Sequence, residues 1–224
     1  LWMEMPEQYR LGVMRFASEH GMAGLSFRVA EIIRKDTGVS WYGALYPHPQ
    51  FKVDYDIDEA LVWAISRQES GFNPRAKSSA KAAGLMQLMP ATASFIARDR
   101  GYRGRKRHQL FEPELNLKLG QNYIQHLLDE PLVESSLIRL LAAYNGGPGN
   151  LRKWLGKVDH QDDPFLLVES MPARETRYYV KNVISNLGIY RQRFGETTPA
   201  LSGLAAGNGG KFVPSEAIDK GLAN

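Results

Sequence analysis

The chain has 224 residues, 43% of them hydrophobic, which is enough apolar material for a packed core and excludes global disorder. No stretch approaches the roughly 18 uninterrupted apolar residues of a membrane-spanning helix, and the absence of cysteine excludes disulfides, thiol catalysis and cysteine-ligated zinc. The net charge of +4 is concentrated in one window, where Arg98, Arg100, Arg103, Arg105, Lys106 and Arg107 face the single Asp99. Such a window attracts polyanions (nucleic acid, anionic lipid or an acidic wall polymer) or is a solvated surface loop.

The first residues lack the basic-then-apolar pattern of an export signal, which carries no information about export in a processed chain. Residues 7–36 predict two short helices, one with the stripe Tyr9, Val13, Phe16 and a weaker one with Phe27, Ile32, Ile33. They are too few to close a core alone, so residues 1–40 are expected to be a flap or the end of a larger helical region. Residues 41–52 hold Pro47 and Pro49 among aromatics and predict an extended linker. Residues 53–194 are helical almost throughout, with breaks at 71–74, 101–104, 131, 146–148 and 172, and no period-2 strand interrupts them. Residues 195–224 shift to Gly, Ala and Ser and predict a mobile tail.

Asp56-Ile57-Asp58-Glu59 has the form of a capping box and starts a helix that runs to about residue 70. On its wheel Glu69 falls within the stripe of Leu61, Val62 and Ile65, while Trp63 and Arg67 point the other way. A carboxyl at that place is raised in pKa by apolar surroundings and by the helix C-terminus, as a general acid near neutral pH requires. The alternatives are a Glu69 turned to solvent or paired with Arg67 or Arg75. No other carboxylate lies between Glu69 and Asp99.

Three further segments carry polar groups amid apolar ones. Residues 78–92 run from small residues through Gly84-Leu85-Met86-Gln87-Leu88-Met89 to Pro90, which opens a helix; a buried Gln87 would need a partner, and a sugar hydroxyl or acetamide is one candidate. A helix with the stripe Leu137, Leu140, Leu141, Tyr144 stops sharply at Asn145-Gly146-Gly147-Pro148, too unlike a phosphate loop in spacing to bind nucleotide. Glu175 and Tyr179 open a long helix with the stripe Tyr179, Val183, Leu187, Tyr190 and are four residues apart.

In this order and spacing, Glu69-Ser70-Gly71-Phe72-Asn73-Pro74, Gly84-Leu85-Met86-Gln87-Leu88-Met89-Pro90-Ala91-Thr92, Ala143-Tyr144-Asn145-Gly146-Gly147 and Glu175-Thr176-Arg177-Tyr178-Tyr179-Val180 resemble the catalytic domain of soluble lytic transglycosylases. The resemblance implies a mainly α, goose-type lysozyme-like domain over residues 53–194, preceded by short helices that end a helical superhelix. It implies cleavage of the MurNAc–GlcNAc β-1,4 bond of peptidoglycan without water. Glu69 would protonate the glycosidic oxygen; the substrate's N-acetyl group would stabilise the cationic centre. Glu69 would then take the C6 hydroxyl proton as a 1,6-anhydro ring closes. A two-carboxylate glycosidase would instead place a partner about 5–9.5 Å away.

The resemblance assigns Ser70, Ser78, Gln87, Met89, Thr92, Tyr144, Asn145, Glu175 and Tyr179 to substrate binding. Ser78 would hold the N-acetyl group or the developing cation, Tyr144 and Asn145 the glycan, and Tyr179 the acid or the muramyl residue. Glu175 matches a substrate contact and is also the best candidate for a second acid. Lys81 departs from the pattern, standing where Gly is common; a positive φ there would cost about 1–2 kcal/mol.

Two competing readings remain: a hydrolytic muramidase on the same fold, and a non-catalytic basic module that binds wall polymer or nucleic acid through residues 98–107. The five histidines lack ligand spacing, so no metal and no cofactor is expected. The resemblance implies a periplasmic location, with peptidoglycan strands and muropeptides as substrates and cell-wall synthesis or secretion machinery as candidate partners. Nucleic acid and a membrane span are not expected.

Overall fold

The computed structural model describes residues 5–157, 159–161, 163–207 and 210–212, and among these there are helices, turns and isolated β-bridges but no strand. The mainly α class is the one expected. Contacts divide the chain into two compact units, Leu1–Asp54 with Glu69–Leu117, and Tyr55–Gln68 with Lys118–Asn224. The predicted boundaries at 40, 52 and 194 follow composition, whereas these units follow packing between segments distant in sequence.

In the first unit α1 (Glu7–Glu19) and α2 (Ala23–Thr37) pair through Met14, Ala17, Val29, Ala30 and Ile33, all buried. Ser18 and Ser26 hydroxyls meet at 2.7 Å between them, and Arg10 pairs with Asp36. The expected extended linker is partly helical: α3 (Tyr42–Leu45) forms one turn and buries Ala44 and Leu45, and both prolines after it are buried. The helix ends ahead of Pro47, as the steric restriction before a proline requires.

The α2 helix also packs on the turn that follows residue 70. The Phe27 and Phe72 rings meet edge to face at 5.6 Å, and a Cβ on Gly24 would lie 2.9 Å from the Phe72 carbonyl oxygen. Beyond that turn come α5 (Pro90–Ile96), opened by Pro90 as expected, and two 3-10 turns, Arg100–Arg103 and Arg107–Phe111. Tyr102 and Leu110 anchor these turns in the interior.

In the second unit most of α4 (Glu59–Ser70) is buried on every side, from Ala60 through Ser66. Trp63, expected to face outward, is 0% exposed; its indole N–H donates to Glu59 Oε1 at 3.0 Å and its ring meets Tyr55. A two-sided wheel does not apply to a helix enclosed by the core. The cap also differs: Asp58, not Asp56, accepts from the Leu61 N–H at 3.0 Å, and its other oxygen pairs with Arg191. Asp56 instead donates its backbone N–H to Gln121.

The remaining helices are α6 (Pro113–Leu128), α7 (Leu137–Gly146), α8 (Pro148–Leu155), α9 (Pro164–Ser170), α10 (Arg174–Phe194) and α11 (Pro199–Ala205). The predicted stripe of α10 is buried, from Tyr179 through Val183 and Leu187 to Tyr190. The expected mobile tail is ordered over part of its length. Ala200, Leu204 and Phe212 are buried, and Phe212 N–H donates to Ser135 C=O at 2.7 Å. Gly210 allows this, since at φ +56° a Cβ there would lie 2.3 Å from Leu204 Cγ. Residues 213–224, also assigned to the tail, lie outside the described residues.

Candidate active site

In the first unit the site begins where α4 ends. Glu69 and Ser70 are half-buried, and the chain reverses through Gly71 and Phe72, at φ +55° and +62°. A Cβ on Gly71 would lie 2.7 Å from the Phe27 ring, so only glycine fits there. Asn73 closes the turn, its N–H on the Ser70 carbonyl and its Oδ1 accepting from the Arg75 N–H.

The loop that follows is tightly bonded. Ser78 N–H donates to Ala82 C=O and Ser78 Oγ accepts from the Ala82 N–H, both at 3.0 Å, around Lys81 at φ +76°. Lys81 thus adopts the positive φ whose cost its departure from glycine raised. Gln87 Nε2 donates to the Ala76 and Gly84 carbonyls at 3.0 and 2.8 Å. Its amide nitrogen therefore braces the loop rather than waiting for a sugar, which leaves the carbonyl end for a ligand. Met89 is 39% exposed at the start of α5 and Thr92 is half-buried in its first turn.

Asn116, which sequence reasoning did not single out, holds this loop from behind. It is fully buried, donates to the Ala83 and Leu110 carbonyls at 2.9 and 2.8 Å, and accepts from the Met86 N–H at 2.8 Å. A polar residue at 116 among Leu115, Leu117 and Leu119 was the available signal, because a buried amide needs partners.

In the second unit Tyr144 and Asn145 sit at the end of α7, which stops at Gly147 with φ +83°. The Tyr144 ring lies parallel to that of Tyr179 at 6.4 Å and 5.4 Å from that of Tyr123. Tyr179 is buried, whereas Tyr123 and Tyr144 keep partial exposure, so the trio offers an aromatic surface with a rigid backing. Burial raises the pKa of the Tyr123 phenol. Asn145 Oδ1 accepts from the buried Thr176 hydroxyl at 2.7 Å, which fixes the amide's orientation. Tyr123 and Thr176 are the two residues of this cluster that the sequence did not reveal.

Glu175 stands apart. It is exposed in the first turn of α10 while Tyr179, four residues on, is buried. Among the described residues no group of three His, Asp or Glu side chains is arranged to hold a metal, and no helix is long and apolar enough to cross a membrane.

Comparison with known proteins places the chain. The family model of the transglycosylase SLT domain matches residues 50–165. The soluble lytic murein transglycosylase of Salmonella typhimurium is 41% identical over 150 residues, covering 66% of this chain and 23% of that protein. The crystal structure of the 70 kDa soluble lytic transglycosylase of Escherichia coli superposes with a TM-score of 0.74 at 31% identity, over 86% of this chain and 31% of that one. An inactive Glu-to-Gln mutant of the Pseudomonas aeruginosa lytic transglycosylase Slt gives a TM-score of 0.72 at 28% identity, over 87% of this chain and 32% of that one. The chain thus spans about a quarter of the curated relative's length. Its mainly α architecture is the lysozyme-like helical fold of the matched transglycosylases. By its match over residues 50–165, the chain belongs to the transglycosylase SLT domain family.

Proposed function

We propose that this chain carries the catalytic centre of a peptidoglycan lytic transglycosylase that cuts the MurNAc–GlcNAc β-1,4 bond and leaves 1,6-anhydroMurNAc ends. The observation that carries the reading is Glu69, the sole carboxylate between Glu59 and Asp99, at the exit of a helix buried on every side. Its place in the last turn of α4 gives it a reason to stay protonated until a leaving group takes the proton. The same carboxylate then accepts the C6 hydroxyl proton as that oxygen closes on C1. Water is not consumed, and no second acid is required. That a Glu-to-Gln mutant of the Pseudomonas aeruginosa relative is inactive supports a role for an essential glutamate.

Around Glu69, the Ser70 and Ser78 hydroxyls and the Gln87 carbonyl oxygen would bind the sugar's hydroxyl and N-acetyl groups. Met89 and Thr92 would line its path. Tyr144 and Asn145 would hold the glycan, backed by Tyr179, and the exposed Glu175 would serve as an outer contact rather than a second acid. Residues 53–194 form the catalytic segment on this reading. Peptidoglycan strands and muropeptides are the substrates, the site of action is the periplasm, and cell-wall synthesis or secretion machinery is the partner class.

Mass spectrometry of digested peptidoglycan tests the reaction. Anhydro ends, one water lighter than reducing ends, are expected. Reducing ends alone would assign a hydrolytic muramidase instead. Glu69→Gln is expected to lower kcat by about 10²–10⁴-fold, the usual worth of a positioned acid–base group. Full lytic activity in that variant would remove Glu69 from the mechanism.

A further inference from the structure

Thr176 is the third residue of α10, where a threonine hydroxyl has the local option of bonding a carbonyl three or four residues back. Its hydroxyl instead reaches a group 31 residues away, donating to Asn145 Oδ1 at 2.7 Å. The side chain is 3% exposed, and among the described residues this is the hydroxyl's one hydrogen bond. A buried hydroxyl has a single proton to give, and here the acceptor is the amide oxygen. That bond fixes which end of Asn145 faces the protein. The amide nitrogen keeps two N–H groups, has no partner among the described residues and is reached by solvent.

The seat of this amide is rigid. Gly146, the next residue, brings the end of α7 against α10, since a Cβ there would lie 2.5 Å from the Trp154 ring and 3.5 Å from Thr176 Oγ1. Trp154 is buried, and Asn150 Nδ2 holds the Gly146 carbonyl at 2.9 Å. Threonine is β-branched and stiff at χ1, so the hydroxyl does not swing freely away. All these residues belong to the second unit. In the first unit Gln87 is locked in the opposite sense, its nitrogen spent on the Ala76 and Gly84 carbonyls.

We propose that Thr176 is a positioning residue, whose hydroxyl turns the Asn145 amide nitrogen-outward so that Asn145 donates to an acceptor oxygen of the glycan. The inference rests on the proposed placing of Asn145 in glycan binding. A free asparagine amide can flip and serve a donor or an acceptor with equal ease. Held by Thr176, it serves an acceptor alone. Gln87 and Asn145 then offer a sugar opposite polarities, the first an oxygen and the second a nitrogen, and each is set by a bond made behind it.

The test uses GlcNAc–MurNAc, which contains no MurNAc–GlcNAc bond and so reports binding whether or not the chain is a lyase. Added to the intact chain, the disaccharide is expected to shift the side-chain amide resonances of Asn145. Thr176→Val releases the amide, and affinity by calorimetry should fall about three- to tenfold, the worth of one hydrogen bond. Thr176→Ser restores the hydroxyl and should return affinity to within about twofold of the wild type. Asn145→Asp keeps an acceptor for Thr176 but loses the N–H donors, so binding should weaken about tenfold or more, at high salt as at low. Because Asn145→Asp leaves the bond to Thr176 in place, it decides the matter even if valine at 176 does not fold. Wild-type affinity in Asn145→Asp, or a loss that disappears at high salt, would overturn the proposal. So would wild-type affinity in Thr176→Val, a Thr176→Ser variant as weak as Thr176→Val, or Asn145 resonances unmoved up to the solubility limit of the disaccharide. A lack of anhydro products would remove the lytic reading without altering any of these binding results.

Discussion

Lys81 holds φ at +76°, a conformation that an L side chain reaches at a cost of about 1–2 kcal/mol. Lys81→Gly removes the strain, offset by the extra entropy that glycine loses on folding, about 0.5–1 kcal/mol. The variant is expected to be more stable by about 0.5–1 kcal/mol, read as a higher denaturant midpoint at unchanged slope. Asn116 works in the opposite sense. Asn116→Ala takes a buried partner from the Leu110 carbonyl and from the Met86 N–H, at about 1–3 kcal/mol for each group left unsatisfied, while the Ala83 carbonyl keeps the Leu88 N–H. A loss of about 2–5 kcal/mol is expected, with faster amide exchange at Met86 as the local signature. The two residues also differ in how they could be found. Lys81 was legible because a motif expects glycine at its place, whereas the partners of Asn116 are 6, 30 and 33 residues away and no local pattern brings them together.

At the scale of an element, α4 joins cap and core through one carboxylate. Asp58 caps Leu61 and pairs with Arg191, both side chains being at most 2% exposed. Removing one member of a buried pair leaves the other uncompensated, at about 3–5 kcal/mol. Asp58→Asn keeps a capping oxygen but loses the charge, whereas Asp58→Ala loses both and is expected to be less stable by about a further 1 kcal/mol. A cycle with Arg191→Met should show coupling; additive losses would mean that the pair contributes nothing beyond its separate parts. The helix ends were readable from Pro90, Pro148, Pro172 and the glycines, because these residues act locally on the backbone. The enclosure of α4 was not, since Trp63 falls opposite the apolar stripe and looks like an outer face until other segments cover it. The buried length of the expected tail was hidden for a related reason: a Gly- and Ala-rich composition describes a chain without large side chains, yet it also allows the close approach that α11 uses.

Taken over the whole molecule, the first fifty residues are structurally tied to the proposed chemistry, because α2 packs on the turn that leaves Glu69. Gly24 meets the Phe72 backbone, Gly71 meets the Phe27 ring, and Phe27 and Phe72 lock edge to face, all within one unit. A shift of the Phe72 carbonyl would be transmitted through Gly71 to Ser70 and then to the acid. Gly24→Val places carbon where only 2.9 Å is available against backbone, so the turn or the helix must give. A displacement near 1 Å can cost about 10²-fold in rate, so kcat is expected to fall at least about tenfold with KM nearly unchanged. Gly12→Ala supplies the comparison. Gly12 lies in α1 with nothing within 4 Å of the place a Cβ would take, and alanine there should add about 0.5–1 kcal/mol of stability without touching the rate. If Gly24→Val lowers the melting temperature but keeps the wild-type kcat, α2 supports the fold alone and has no part in aiming Glu69. A drop in kcat at temperatures where the variant is still folded would make the N-terminal helices part of the positioning apparatus, which composition alone presented as a separate segment.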